Sequence, residues 1–109
     1  MSEPLSARSC SACRGDTPVL SEGAARELAA QVPDWELESN RRLRRQFRFK
    51  TFAVAWAWID KAAALAEAEG HHPGLSWNYN RVTVELSTHA IGGLSENDFI
   101  LAAKLDKLE

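Results

Sequence analysis

The chain has 109 residues, of which 45% are hydrophobic and 26% charged, with a formal net charge of -2. That length holds one domain with a single modest core, and the charge argues against a nucleic-acid binder that works through overall positive potential. No apolar run is long enough to span a bilayer and the N-terminus has no hydrophobic signal core, so a cytoplasmic protein with no membrane partner is expected.

Residues 1–18 are rich in Ser, Gly, Pro, Arg and Asp and read as a flexible N-terminal arm ahead of a single domain over residues 19–109. The arm carries a lone C-x-x-C, Cys10 and Cys13. Two thiols imply no disulfide framework, a structural zinc site would need two further ligands, and no strand precedes Cys10 as in a thioredoxin-like motif. Two reduced thiols without a metal or redox role are expected.

Ser21 is placed to cap a short helix, with Leu20 packing back on its first turn and Ala24, Ala25, Leu28 and Ala29 at helical spacing. Val32-Pro33 ends it. Trp35-Glu36-Leu37 reads as a short strand, and Ser39-Asn40 as a polar turn. From Arg41 the pattern alternates, with Leu43, Phe47 and Phe49 on one face and Arg42, Arg44, Gln46, Arg48 and Lys50 on the other: a half-buried strand. Its arginines suit a solvated or partner-facing surface, since acidic residues elsewhere cancel their charge.

Thr51 can cap a long alanine-rich helix that ends at Gly70, a residue suited to the left-handed position that stops a helix. Phe52, Ala55, Trp56, Ile59, Ala63 and Ala66 are expected to form its buried stripe, leaving Trp58 and Leu65 outside it to extend the core or meet another subunit. Trp77-Asn78-Tyr79 and Val82–Thr88 read as a hairpin about Asn80-Arg81. Val82, Val84 and Leu86 point one way; Thr83, Glu85, Ser87 and His89 point the other, with His89 closing the strand. Ser95-Glu96-Asn97-Asp98 is a capping-box pattern that opens a last helix through Phe99, Leu101, Ala102, Leu105 and Leu108. The order helix-strand-strand-helix-strand-strand-helix predicts an α+β fold, with an antiparallel four-stranded sheet and helices packed on one face.

All three histidines, His71, His72 and His89, fall in one short window. Imidazole exchanges protons near neutral pH, so this concentration points to acid–base chemistry. Pro73 cannot continue a helix and stiffens the corner that presents His71 and His72. Glu67 precedes His71 by one helical turn, so the two can share a face, although ordinary exposed glutamates at a helix end would look the same. Adjacent histidines on an extended corner diverge, which disfavours a metal site.

Glu67-x-x-x-His71-His72-Pro73, followed by Tyr79, His89 and Asp98, resembles the signature of the pterin-4a-carbinolamine dehydratases. "PDWEL", "EAEGHHPGL", "YNRVTVELSTH" and "GGLSENDFILAAKLD" carry the likeness over about residues 21–107, and the C-x-x-C arm resembles bacterial members that accompany phenylalanine hydroxylase. The resemblance implies a hydro-lyase that dehydrates 4a-hydroxytetrahydropterin to quinonoid dihydropterin, supports tetrahydrobiopterin recycling for aromatic amino acid hydroxylation, and needs no cofactor or metal. It implies His71, His72 and His89 as the acid–base group, donor and acceptor unassigned. Glu67 would orient His71, and Asp98 would cap its helix and orient His89. Ser87 and Thr88 would bind or orient the substrate, Pro73 would fix the corner, and Tyr79 and Trp35 would wall the pterin or, more in keeping with aromatics, fill core. It further implies a homodimer or homotetramer. Some relatives are non-enzymatic dimerisation or transcriptional cofactors or assembly factors, which is the alternative reading here.

Overall fold

A computed structural model describes residues 5–7, 10 and 19–108, apart from the side chain of His89. Helix α1 (Glu22–Ala29) starts where the Ser21 hydroxyl accepts the Ala24 N–H. Strands β1 (Glu36–Glu38) and β2 (Arg42–Arg48) follow, then α2 (Phe52–Glu69), β3 (Gly74–Asn78), β4 (Arg81–Leu86) and α3 (Glu96–Asp106). Three-residue 3₁₀ turns lie at Leu5–Ala7 and His89–Ile91. The strands form one antiparallel sheet in the order β1-β2-β4-β3, and the expected element order and fold class are those observed.

The sheet has one dry face. Leu43 lies opposite Leu86, Phe47 opposite Val82 and Arg45 opposite Val84, so period-two alternation puts all of these on the side the helices cover. Leu43, Val82, Val84 and Leu86 are fully buried, together with Phe99, Leu101 and Leu105 of α3. Arg45 sits among them by lying 4.2 Å over the Phe47 ring and pairing with Asp106 at 2.5 Å, so its stem is covered while its charge is answered. The other face carries the arginines, where Arg42 bonds to Glu38 at 2.7 Å and to Glu85 at 2.9 Å. Charge cancellation within the sheet is thus local.

Helix α2 is rotated relative to the expected stripe. Ala55, Trp58, Ala62 and Ala66 are buried, whereas Phe52, Trp56 and Ala63 are exposed. Trp58, expected outside the stripe, is only 4% exposed, with its ring 4.5 Å from Phe47 and 5.4 Å from Phe49; Trp56 is 57% exposed. Leu65 also packs partly on the core. Apolar residues surround this helix on nearly every side, so periodicity alone had no contrast from which to choose a face. The choice follows from Phe47 on β2 and Phe49 just beyond its end.

The β3–β4 hairpin departs from its expected limits by one to three residues. It begins at Gly74 and turns at Tyr79-Asn80, with Tyr79 at φ 52°. β4 ends at Leu86, so His89 opens the following 3₁₀ turn rather than closing the strand. In the N-terminal arm, Leu5 is buried against α3 and the Cys10 N–H donates to the Glu69 carboxylate at 2.9 Å. These described residues are packed on the domain. Burial first, and then the Glu69 charge, push the Cys10 thiol up from 9.0 to about 12, leaving it protonated and a poor nucleophile or ligand at neutral pH. Cys13 lies outside the described residues.

Candidate active site

Helix α2 ends at Gly70, whose φ of 66° is the left-handed conformation that glycine tolerates best. The Gly70 N–H donates to the Glu67 carbonyl and the His71 N–H to the Ala66 carbonyl, closing the last turn by a Schellman-type arrangement. This reversal takes His71 off the helical path. The (i, i+4) rule that would have joined Glu67 to His71 holds only while the helix continues, and here it does not.

His71 turns inward. Its Nε2 lies 2.6 Å from Oδ1 of Asp98, a carboxylate with no solvent exposure on the first turn of α3. His72 comes round over the helix end instead, its Nε2 3.0 Å from Oε1 of Glu67, with both side chains largely in solvent. Glu67, expected to orient His71, instead meets His72, and the partner of His71 is Asp98.

Asp98 is the hub of the buried part. Its Oδ2 accepts the Ser95 N–H at 3.0 Å, which is its share of the capping box at the start of α3. The same Oδ2 accepts the Thr88 hydroxyl at 2.8 Å, and that hydroxyl lies 2.6 Å from the Ser95 hydroxyl. Thr88 also donates its N–H to Gly93 at 2.7 Å, closing the loop that contains the His89 turn. One carboxylate thus joins the end of α2, the start of α3 and the base of the His89 turn. The cap expected at Asp98 is present, and the expectation that it orients His89 falls on a side chain outside those described.

Thr88 is 3% exposed, and Ser87 is exposed beside it. Both border an open polar cleft of about 620 Å³, between the β1–β2 turn at Ser39 and Arg41 and the Gly92-Gly93 turn. Pro73 sits half-buried at the corner. Trp35 is a core residue, 5% exposed, donating its indole N–H to Asp106 at 2.8 Å. Tyr79 is not core: the positive φ at the hairpin turn leaves it 63% exposed, near Phe52. Thr88 was legible as more than a strand residue, because it continues the inward face of Val82, Val84 and Leu86, where a hydroxyl requires a partner. Among the described residues, no group of three or more His, Cys, Asp or Glu gathers as a metal-binding set.

The next carboxylate in the chain, Glu69, serves a different contact. It receives the Cys10 N–H and lies 3.5 Å from Lys104. The Cys10 hydrogen bond foremost, followed by the Lys104 charge, holds its carboxyl below the ordinary 4.5.

Residues 18–108 match the family described as pterin 4 alpha carbinolamine dehydratase. The chain belongs to that family. It is 50% identical over 109 residues to a candidate pterin-4-alpha-carbinolamine dehydratase of Nitrosococcus oceani, covering 97% of this chain and 96% of the relative. A similarly named protein of Methylococcus capsulatus is 48% identical over 107 residues, covering 95% and 92% of the two chains. A crystal structure titled transcriptional coactivator/pterin dehydratase, from Brucella melitensis, is similar with a TM-score of 0.77 at 33% identity, over 82% of this chain and 96% of that one. Among the described residues, no helix is long and apolar enough to cross a membrane.

Proposed function

We propose that this pterin carbinolamine dehydratase family member catalyses the dehydration of 4a-hydroxytetrahydropterin by histidine acid–base chemistry. The observation that carries this reading is the pair of adjacent imidazoles at one helix end, each held at Nε2 by its own carboxylate. In the reaction the C4a–O bond breaks and the departing oxygen takes a proton, while N5 loses one as the N5–C4a double bond forms. The products are quinonoid dihydropterin and water, with no net oxidation. Hydroxide is a poor leaving group, so a proton donor at the oxygen and an acceptor at N5 both lower the barrier.

His72 suits direct exchange with substrate. Its ring is 64% exposed, and with Nε2 on Glu67 its Nδ1 is the nitrogen left for another partner. His71, held from behind by a buried carboxylate, supplies the fixed member of the pair, and His89, the third histidine of the signature, is assigned to the same acid–base group. The role that follows is return of a spent tetrahydropterin cofactor to the reducible quinonoid form, as an aromatic amino acid hydroxylase requires.

The test is to generate the 4a-hydroxypterin with an aromatic hydroxylase and follow its dehydration by ultraviolet absorbance. Wild type should exceed the spontaneous rate, and His72→Ala and His89→Ala should each fall well below wild type. A wild-type protein that adds nothing to the spontaneous rate would overturn the enzymatic reading. Unchanged rates in both variants would overturn only the assignment of the histidines.

A further inference from the structure

We infer that Thr88 is a positioning residue, which acts through Asp98 to hold neutral His71 as the Nε2–H tautomer and so keeps Nδ1 as its proton acceptor. The argument is a count of protons along a buried chain of hydrogen bonds. Asp98 as a carboxylate only accepts. Its Oδ2 takes the Ser95 N–H at 3.0 Å and the Thr88 hydroxyl at 2.8 Å. A threonine hydroxyl has one proton, and Thr88 has given it to Asp98. The 2.6 Å contact between Thr88 and Ser95 must therefore be donated by Ser95. Every hydrogen bond in the chain then has one direction, from Ser95 to Thr88 to Asp98.

The remaining oxygen, Oδ1, lies 2.6 Å from His71 Nε2 and can only accept from it. A neutral imidazole carries one N–H, so a proton on Nε2 leaves the Nδ1 lone pair free. The two donors occupy Oδ2 and leave Oδ1 to the imidazole. Thr88 can do this because it is fixed twice, by its hydroxyl and by its N–H to Gly93 at 2.7 Å. The carboxylate behind His72, Glu67, is instead 81% exposed. Outer hydrogen bonds of this kind set the tautomer and orientation of metal-bound and catalytic histidines generally.

The catalytic consequence rests on the proposed dehydration, but the tautomer does not. Long-range proton–nitrogen correlation spectra of the free protein, at a pH where the rings are neutral, report which nitrogen of each histidine is protonated. In wild type His71 should show Nδ1 as the unprotonated nitrogen, and His72 should show a mixture. Thr88→Val, close in shape but without the hydroxyl, should mix the tautomers of His71 and lower kcat about tenfold with KM little changed. Thr88→Ser should restore both readings, which a role in packing the threonine methyl would not do. Thr88→Ala gives the same comparison if Thr88→Val does not fold. Wild-type His71 protonated on Nδ1 would overturn the inference, as would a hydroxyl-free variant that keeps the wild-type tautomer. An active enzyme with a mixed His71 would defeat the inference alone; a locked His71 without dehydration would defeat the proposed function instead.

Discussion

Two histidine–carboxylate pairs stand next to each other at the end of one helix and differ in almost everything but their chemistry. His71–Asp98 is buried, spans 27 residues of sequence and is tied to three other polar groups; His72–Glu67 is exposed and spans five. An exposed pair lies in high dielectric and shares its side-chain freedom with solvent, so its mutual hold is weak. A buried carboxylate costs much more to leave without partners, and is therefore over-determined by its surroundings. The difference is one of restraint: the buried pair is held from several sides, and the exposed pair faces solvent.

The most damaging way to break the contrast is at Asp98. Asp98→Ala removes the cap of α3 and the partners of both His71 and Thr88, and should cost about 3–5 kcal/mol in chemical denaturation. Glu67→Ala should stay within about 0.5 kcal/mol of wild type in the same experiment. The histidines themselves separate stability from rate. His71→Ala leaves Asp98 buried without its counterpart and should lose about 3 kcal/mol, while His72→Ala should leave the melting curve almost unmoved and slow dehydration by about 10²–10⁴-fold.

Salt gives a smaller and gentler discrimination. A double-mutant cycle on Glu67 and His72 should return a coupling of about 1 kcal/mol or less that fades as ionic strength rises, whereas the coupling of Asp98 with His71 should persist in high salt. The smallest effect concerns Glu69, the neighbouring carboxylate with partners of its own. Its carboxyl is held below 4.5 in the folded protein, so the stability it contributes is present above 4.5 and is lost as pH falls through the lowered value. Glu69→Gln should flatten that acid limb in urea denaturation. Cys10 has the opposite sign: its raised thiol contributes stability below 9.0 that is lost as pH climbs toward about 12.

Local rules read well wherever the cause was local. Ser21, Thr51 and Gly70 act at the helix ends where capping chemistry placed them, and Asp98 closes its capping box. Alternation in β2 and β4 gave the correct dry face through Leu43, Phe47, Val82, Val84 and Leu86. The rules failed where a longer contact decided. The buried face of α2 was set by Phe47 on β2 and Phe49 just beyond its end, which drew in Trp58 rather than Trp56. The partner of His71 was set by a chain reversal at Gly70, which cancels helical spacing one residue after it stops applying.

From residues alone came the element order and the family, because periodicity, capping and a multi-part signature are properties of short stretches of chain. Tertiary structure alone decided which carboxylate meets which imidazole and which hydroxyl stands behind Asp98. Those contacts join the ends of α2, β4 and α3, and burial rather than sequence separation determines whether such a pair is held firmly or loosely.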